Sequence, residues 1–334
     1  MRNSRKPLLF IVLSLVFALL FLFFAIKFVE AIVDRNKPSQ SQTDPYSAPT
    51  NSAVEELGNS VTYNGKKYHI NRSITTLLLL GIDNTVANTG AEIGGGGRSD
   101  AMILLVLDDE KQTVQNLTIS RDTMVNVDIY NKAGRFVASG ESHINMQYDY
   151  GDSPKRSCYL TKKAVSNLLY GKSIDGCLSI TMDGIKPIVD GMGGLALTFE
   201  EDYSYIDSRY TKGATVTLNG TEAEAFVRYR DTKSSGSAEL RRERHAWFIG
   251  ELFRKLRSMG GESFINDMLE KAADYIENDI DAASIKKLSQ YRFNENQLSL
   301  PGKLNPGDDH DEFFVDQEAL KAMVIELFYT PETD

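Results

Sequence analysis

A short, uninterrupted apolar run constrains the fold of this chain more than any other feature. Four consecutive leucines, residues 77–80, follow Thr76 and end at Gly81, which is typical of a strand buried on both faces. Residues 102–107 and 114–119 are two further strand candidates, and the tight polar turn between them predicts antiparallel neighbours. A sheet buried on both faces needs helices to cover it, so the pattern indicates an α/β fold.

Helical patterns alternate with strand patterns along the rest of the chain. The helical candidates are residues 161–169, 240–259 and 282–290, the strand candidates are residues 178–182 and 195–199, and a terminal β-α unit covers residues 297–328. Asp183 predicts a helix N-cap, and Thr221 with Glu224 predicts a capping box. The alternation predicts a layered α/β domain with a mixed sheet, beginning near Ile74.

The N-terminus carries a membrane signal. Basic residues precede an apolar run over residues 8–26, and about 20 apolar residues span a bilayer. The basic flank predicts a cytoplasmic tail at residues 1–7, a transmembrane helix at residues 8–32 and all later residues outside the cell. The alternative is a cleaved signal peptide ending at Ala31, although its apolar core would be unusually long.

Residues 33–73 are expected to form an extracytoplasmic stalk ending in an edge strand or hairpin. The stretch up to Ser60 is rich in Pro, Ser, Thr, Asn and Gln, a composition typical of flexible linkers. Asn64-Gly65 is a turn signal that predicts the hairpin.

Composition narrows the function classes. The formal net charge of the 334 residues is -9, which argues against a general nucleic-acid binder. Cys158 and Cys177 are too few for a disulfide framework. They form either one bridge or two buried free thiols.

Aspartates stand at the ends of the predicted strands. Asp83 follows the first strand, Asp100 opens the second and Asp122 follows the third. If the first two strands are neighbours, Asp83 and Asp100 approach each other. Two carboxylates with phosphate oxygens and waters complete a Mg²⁺ shell, whereas without a cation they repel. The alternative for each aspartate is a turn or helix cap.

Arginines cluster around the same motifs although the chain is acidic. Arginine's planar fork suits phosphate oxygens, so arginines and paired aspartates together predict a pocket for a Mg²⁺-bound pyrophosphate. Surface ion pairs and a solvated basic stripe are the alternatives. The glycines at 94–97 are either a plain linker or a mobile lid over the site. The candidate pyrophosphate ligands are Arg98, Arg121, Arg228, Arg230, Arg241 and Arg244.

The order of these motifs resembles the LytR-CpsA-Psr family over residues 74–257. The matching segments are Leu-Leu-Gly-Ile-Asp (79–83), Gly-Arg-Ser-Asp (97–100), Ile-Ser-Arg-Asp (119–122), Leu-Asn-Gly (218–220), Arg-Tyr-Arg (228–230) and Arg-x-x-Arg (241–244). Two departures concern fine contacts and substrate choice: Asn84-Thr85 stands where the family often has an Arg, and His245-Ala246 where glutamines are common. The insert with the four glycines also lengthens the gap between the two aspartates.

The resemblance implies a fold, an activity and roles for residues. It implies a three-layer α/β/α catalytic domain over residues 74–334, with a mixed central sheet and a groove for a polyprenyl chain. The activity implied is a membrane-anchored phosphotransferase that moves an anionic or phosphorylated glycopolymer, such as teichoic acid or capsule, from a polyprenyl pyrophosphate carrier onto peptidoglycan. Asp83 and Asp100 would hold Mg²⁺, with Mn²⁺ as the alternative, and the six arginines would bind the pyrophosphate.

The chemistry of transfer suits these residues. Breaking a phosphoanhydride builds negative charge on the leaving lipid phosphate, and arginines such as Arg121 stabilise it. The acceptor hydroxyl loses a proton, for which Asp100 and Asp122 are both candidates. Two alternatives remain: a non-catalytic polyprenyl-phosphate-binding regulatory wall protein, and a polyprenyl pyrophosphate hydrolase.

Overall fold

The structure is a computed structural model that describes most of the chain beyond Glu56. The described residues are 57–84, 93–229, 244–245, 247–248, 250–252, 254–255, 258–259, 270–294, 296–307 and 310–332. The expected transmembrane helix at residues 8–32 and most of the stalk lie outside them. Within the described part, none of the helices combines the length and the apolar character needed to cross a bilayer.

Sixteen strands and six helices are defined among the described residues. The strands are β1 (Ser60–Tyr63), β2 (Lys66–Ile70), β3 (Ile74–Ile82), β4 (Ser99–Asp108), β5 (Thr113–Ile119), β6 (Met124–Tyr130), β7 (Phe136–His143), β8 (Gly176–Thr181), β9 (Leu195–Thr198), β10 (Thr215–Leu218), β11 (Ile276–Asn278), β12 (Arg292–Phe293), β13 (Leu298–Ser299), β14 (Gly302–Asn305), β15 (Glu312–Val315) and β16 (Tyr329–Pro331). The helices are α1 (Met146–Asp149), α2 (Pro154–Leu168), α3 (Ile185–Gly191), α4 (Gly220–Arg228), α5 (Ala282–Gln290) and α6 (Gln317–Phe328). Short 3-10 turns cover Met182–Gly184 and Ala273–Tyr275.

A mixed sheet forms the centre of the domain, as the sequence predicted. Its strand order is β11-β8-β3-β4-β5-β12, and β13 also pairs with β5. β4 runs antiparallel to both β3 and β5, whereas β8 runs parallel to β3. β3 is therefore an interior strand, which explains why its leucines are buried on both faces.

The leucines of β3 alternate between two hydrophobic cores. Leu77 and Leu79 belong to a core that includes residues of α3, α4 and α5. Leu78 and Leu80 belong to a second core that includes residues of α2 and α6. Because helices pack on both faces of the sheet, the domain has three layers.

A small sheet joins the beginning and the end of the described chain. β1 and β2 form the expected hairpin, with Asn64 and Gly65 at φ values of 49° and 74°. Such positive φ values are typical of a two-residue hairpin turn. β16 then pairs with the free edge of β2, a contact that the sequence patterns did not indicate.

Two predicted helix caps differ from the observed ones. Asn219, not Thr221, caps α4: its side chain accepts the Glu222 N–H at 2.9 Å, and the Glu222 carboxylate accepts the Asn219 N–H at 3.0 Å. The capping box therefore begins two residues earlier than predicted. Asp183 makes no side-chain cap, because it lies in the 3-10 turn before α3 and pairs with Arg228 instead.

The two cysteines are buried free thiols. Cys158 of α2 and Cys177 of β8 lie in the same core and are hydrogen-bonded to each other. Burial and the neighbouring thiol raise the pKa of Cys177 well above its ordinary value. A thiol in this setting is a poor nucleophile.

Candidate functional site

Asp83 and Asp100 stand at neighbouring strand ends on one edge of the central sheet, since the two strands pair as predicted. Asp83 follows the last residue of β3, and Asp100 is the second residue of the antiparallel partner β4, where Ile82 pairs with Ser99. Asp83 is fixed by Arg98, whose N–H donates to the Asp83 carboxylate at 2.7 Å. The guanidinium of Arg98 lies 3.8 Å from the same carboxylate. The Asp100 residue is only 5% exposed.

Arg121 joins the aspartates of neighbouring strands. It follows β5, and its Nη1 donates to Asp100 at 2.6 Å while its Nε lies 3.3 Å from Asp122. Burial lowers the pKa of Arg121, but the negative charges of Asp100 and Asp122 outweigh it, so the pKa is raised. Asp83 adds to this effect. These residues form an acid–arginine cluster in which Asp83 is paired with Arg98, and Asp100 and Asp122 with Arg121.

Asp149 is a further acid in this cluster that the sequence did not reveal. It ends the four-residue helix α1, which is too short for a periodic pattern. Its carboxylate accepts the N–H groups of Gly96 and Gly97. Burial raises the pKa of Asp149, and the negative charge of Asp83 raises it further. The hydrogen bonds from the two glycines and the positive charge of Arg98 lower it, but by less, so the pKa remains raised.

The glycine loop is ordered around Asp149 in the part that the structure describes. Gly94 N–H donates to the Asp149 main-chain oxygen at 3.0 Å. Gly97 has a φ of +82°, and a Cβ there would lie 2.8 Å from Asn84 Cβ and 3.1 Å from the Asp83 carboxylate. Only glycine fits both the backbone conformation and the space. The loop is thus a packed part of the site at Gly94–Arg98, rather than a plain linker.

Arg228 lies at the same edge of the sheet. α4 ends at Arg228, and Tyr229 has a non-helical backbone with φ −56° and ψ 131°. The Arg228 guanidinium lies 2.5 Å from Asp183 and 2.8 Å from Glu224. β8 runs parallel to β3 with Thr181 opposite Ile82, so the turn that carries Asp183 leaves the sheet beside Asp83.

Arg244 is a buried cation held by aromatic rings. The residue is 2% exposed, and its Nη2 donates to the Tyr229 main-chain oxygen at 2.5 Å. Its guanidinium lies 5.5 Å from the Phe226 ring centroid and 5.9 Å from that of Tyr229. Burial lowers the pKa of Arg244 despite contact with Tyr205. Among the described residues no carboxylate forms an ion pair with it.

An apolar cavity lies directly behind the acid–arginine cluster. Its volume is about 50 Å³, and Gly81 and Ala101 line it beside Asp83 and Asp100. Phe248 and Leu252 also line it, so they are both core residues and part of the cavity wall. The remaining lining residues are Leu79, Leu80, Leu178, Ile180, Thr181, Met182, Ile185, Ile188, Val227 and His245.

Two of the predicted arginines lie outside the described residues. These are Arg230 and Arg241. The structure brings Asp83, Arg98 and the Asp100–Arg121–Asp122 network together, and it places Arg228 and Arg244 on elements that border the cavity.

The cluster could bind a cation only together with a ligand that supplies further oxygen atoms. Within the described residues, no group of three or more His, Cys, Asp or Glu side chains is arranged to hold a metal ion. Asp83 and Asp100 therefore supply at most a partial shell. Mg²⁺ commonly binds through one or two carboxylates, waters and substrate phosphates, and a phosphate group here would also meet Arg98 and Arg121.

Comparison with known sequences supports the same interpretation. A model of the LytR_cpsA_psr family matches residues 35–328. The polyisoprenyl-teichoic acid–peptidoglycan teichoic acid transferase TagV of Bacillus subtilis is 27% identical over 229 residues, covering 67% of this chain and 54% of the relative. The corresponding transferase TagU of Oceanobacillus iheyensis is 25% identical over 222 residues, covering 65% and 62%. The chain thus spans about half to two thirds of the length of these curated relatives.

Solved structures share the fold. The crystal structure of Bacillus subtilis TagV has a TM-score of 0.56 at 24% identity, covering 77% of this chain and 98% of that one. A structure of TagT bound to LIIa-WTA has a TM-score of 0.56 at 21% identity, covering 77% and 90%. A protein from Streptococcus agalactiae reaches 0.60 at 18% identity, covering 76% and 86%.

Proposed function

Because the chain belongs to the LytR-CpsA-Psr family, we propose that it transfers a phosphorylated glycopolymer from a polyprenyl pyrophosphate carrier onto peptidoglycan. Its relatives TagV and TagU are named as teichoic acid transferases, which supports this substrate class. The observation that carries the proposal is the Asp83–Arg98 and Asp100–Arg121–Asp122 cluster at the end of an apolar cavity. The cluster suits a pyrophosphate, and the cavity suits the start of its lipid chain.

The arginines would hold the pyrophosphate. Arg121 lies where charge develops on the leaving lipid phosphate, and a donor fixed before the reaction needs no reorganisation. Arg98 and Arg228 are part-exposed and paired with carboxylates. Each guanidinium would either bind a phosphate oxygen in addition to its carboxylate or bind the phosphate oxygen in place of it. Arg244 would reach the anion from its aromatic pocket. Arg230 and Arg241 are proposed in the same role from the motif alone.

Asp83 and Asp100 are the proposed ligands of Mg²⁺ or Mn²⁺. When bound, such an ion would neutralise charge on the pyrophosphate oxygens. Asp83 keeps one oxygen bonded to the Arg98 N–H, and Asp100 keeps one bonded to Arg121. Their orientation is therefore set by the protein before substrate arrives.

The transfer exchanges one bond at phosphorus for another. The oxygen of a peptidoglycan hydroxyl bonds to the glycopolymer-bearing phosphorus, and the anhydride bond to the lipid phosphate breaks. Polyprenyl phosphate leaves, and a carboxylate takes the hydroxyl proton. Asp100 and Asp122 remain the two candidates for that carboxylate, because both lie against Arg121.

The lipid requires more room than the cavity now has. A volume of about 50 Å³ holds only a few water molecules. A polyprenyl chain would therefore have to separate the wall that carries Phe248 and Leu252 from the sheet.

A reconstituted assay tests the proposed function. The full chain in lipid vesicles is incubated with a polyprenyl-pyrophosphate-linked glycopolymer, peptidoglycan and Mg²⁺, and both glycopolymer on peptidoglycan and free polyprenyl phosphate are measured. We expect equal amounts of the two products, loss of both with a chelator and recovery with added Mg²⁺. Lipid phosphate released without attachment would identify a hydrolase. Donor binding without any release would identify a regulatory binding protein, and either result contradicts the proposal.

We also propose that the folded domain lies outside the cell and is anchored by a helix at residues 8–32. Supporting this, the basic residues precede an apolar run of spanning length. Protease added to intact, wall-stripped cells is expected to remove the domain and leave the first residues membrane-bound. Full protection of the domain, or a released mature form that begins near residue 32, would show that this topology is wrong.

A further inference from the structure

Asp149 holds the glycine loop of the site at three points. Its main-chain oxygen accepts the Gly94 N–H at 3.0 Å. Its carboxylate accepts the N–H groups of Gly96 and Gly97. These contacts fix the stretch of chain that ends at Arg98.

The loop in turn fixes the Asp83 carboxylate. Arg98 N–H donates to it at 2.7 Å, and Asp83 N–H donates back to the Arg98 main-chain oxygen at 3.0 Å. Gly97 packs so closely that a Cβ would lie 3.1 Å from the same carboxylate. A shift of the glycine loop therefore moves Asp83 and Arg98 together.

The helix that carries Asp149 is tied to the other half of the site. Just before α1, Asn145 N–H donates to the Arg121 main-chain oxygen at 3.3 Å, and Ile144 N–H donates to that of Thr123 at 2.8 Å. Asn145, which is bonded to Arg121, is thus separated from Asp149 by only three helical residues. α1 links the two turns that carry the acid–arginine cluster.

We propose that Asp149 is a positioning residue that sets the Asp83–Arg98 turn against the Arg121–Asp122 turn. A second carboxylate beside Asp83 is a costly choice for a simple loop anchor, since like charges repel. The Oδ1 oxygen of Asp149 is buried and has no hydrogen-bond partner among the described residues. A residue that served stability alone would avoid both costs, so its place favours a role in the site. The activity readout of this inference rests on the proposed function.

The test compares three replacements at Asp149 with one at Asp152. Asp149→Ala removes the acceptor, Asp149→Asn keeps its size and an acceptor oxygen, and Asp149→Glu moves the carboxylate outward by one methylene. Asp152→Ala is the matched control, because Asp152 is an exposed carboxylate three residues further along. For each variant we would measure kcat, KM for the donor and the Mg²⁺ concentration for half-maximal rate. Binding of farnesyl diphosphate with Mg²⁺ is measured by calorimetry, and the melting temperature by circular dichroism.

Asp149→Ala is expected to raise the Mg²⁺ requirement and weaken diphosphate binding, each by about tenfold, as for residues that orient metal ligands. Asp149→Asn should recover most of this loss, Asp149→Glu little of it, and Asp152→Ala should match the parent. The inference is wrong if Asp149→Ala leaves both quantities within about twofold of the parent, even where its melting temperature falls. It is also wrong if the parent binds no farnesyl diphosphate. A parent that binds the probe but transfers nothing would contradict the proposed function alone.

Discussion

Replacing Arg121 with Ala is expected to slow glycopolymer transfer by about 100- to 1000-fold, the loss seen when one preorganised donor to a developing anion is removed. Arg121 contacts Asp100 and Asp122 at once, so its loss also frees two buried carboxylates beside the pyrophosphate. Their repulsion of the substrate acts in the same direction as the missing donor. The measurement is the transfer rate per folded molecule in the reconstituted assay, with melting temperatures recorded in parallel.

Two variants separate the function of Arg121 from its charge. Arg121→Lys keeps the charge but lacks the fork that reaches two partners, so we expect it to recover only a small part of the rate. Arg209→Ala is the matched control: Arg209 also pairs with two carboxylates, Asp207 and Glu222, but it is half exposed. Rates within about threefold of the parent for both Arg121 variants would contradict the pyrophosphate site.

Replacing Phe226 with Ala is expected to lower the free energy of unfolding by about 3–5 kcal/mol, as for other buried phenylalanines. Phe226 is fully buried, and its ring lies 5.3 Å from that of Tyr203 and 6.2 Å from that of Phe248. The substitution would also remove one of the rings that contact Arg244. Urea unfolding measures the first effect, and donor binding measures the second.

Phe314→Ala is the control for the size of this loss. Phe314 is 41% exposed on β15, so the same truncation there should cost under about 1 kcal/mol. Equal losses at the two positions would mean that the aromatic core around Phe226 does not support the domain as described.

The hydrophobic pattern predicted the centre of the sheet because β3 and β4 are buried on both faces. Residues 77–80 and 102–107 are uninterrupted apolar runs, whereas three polar residues that are only half-buried interrupt residues 114–119; all three segments lie in interior strands. The helix at residues 282–290 was also predicted at its observed bounds. The hairpin turn at Asn64-Gly65 was predictable because positive φ values select those residues.

Short elements and long-range contacts left little local signal. α1 has four residues, so Asp149 showed no helical period and its contact with the glycine loop could not be foreseen. Asp183 fitted a cap by position, but a guanidinium from α4 competes for its carboxylate. Thr221 and Glu224 had the spacing of a capping box, yet Asn219 and Glu222 have the same spacing and begin the helix.

The sequence motifs predicted which residues form the site, but not how their side chains are arranged. Asp83, Asp100 and Arg121 were predicted to lie together at the ends of β3, β4 and β5. The register of these strands places the three residues at the same end of the sheet. The pairing of Arg121 with two acids, and the aromatic surroundings of Arg244, depend on side-chain packing between distant segments. Such packing has no period in the sequence.

The pairing of β16 with β2 also constrains the order in which parts of this chain can fold during synthesis. Thr330 and His69 are 261 positions apart, so a growing chain makes β2 long before its partner exists. During that interval the edge of β2 is an open template for strands of other molecules. Contacts of such long range form late and slowly. Tyr329–Pro331, which are made long after β2, therefore close a surface that would otherwise favour aggregation of newly made protein.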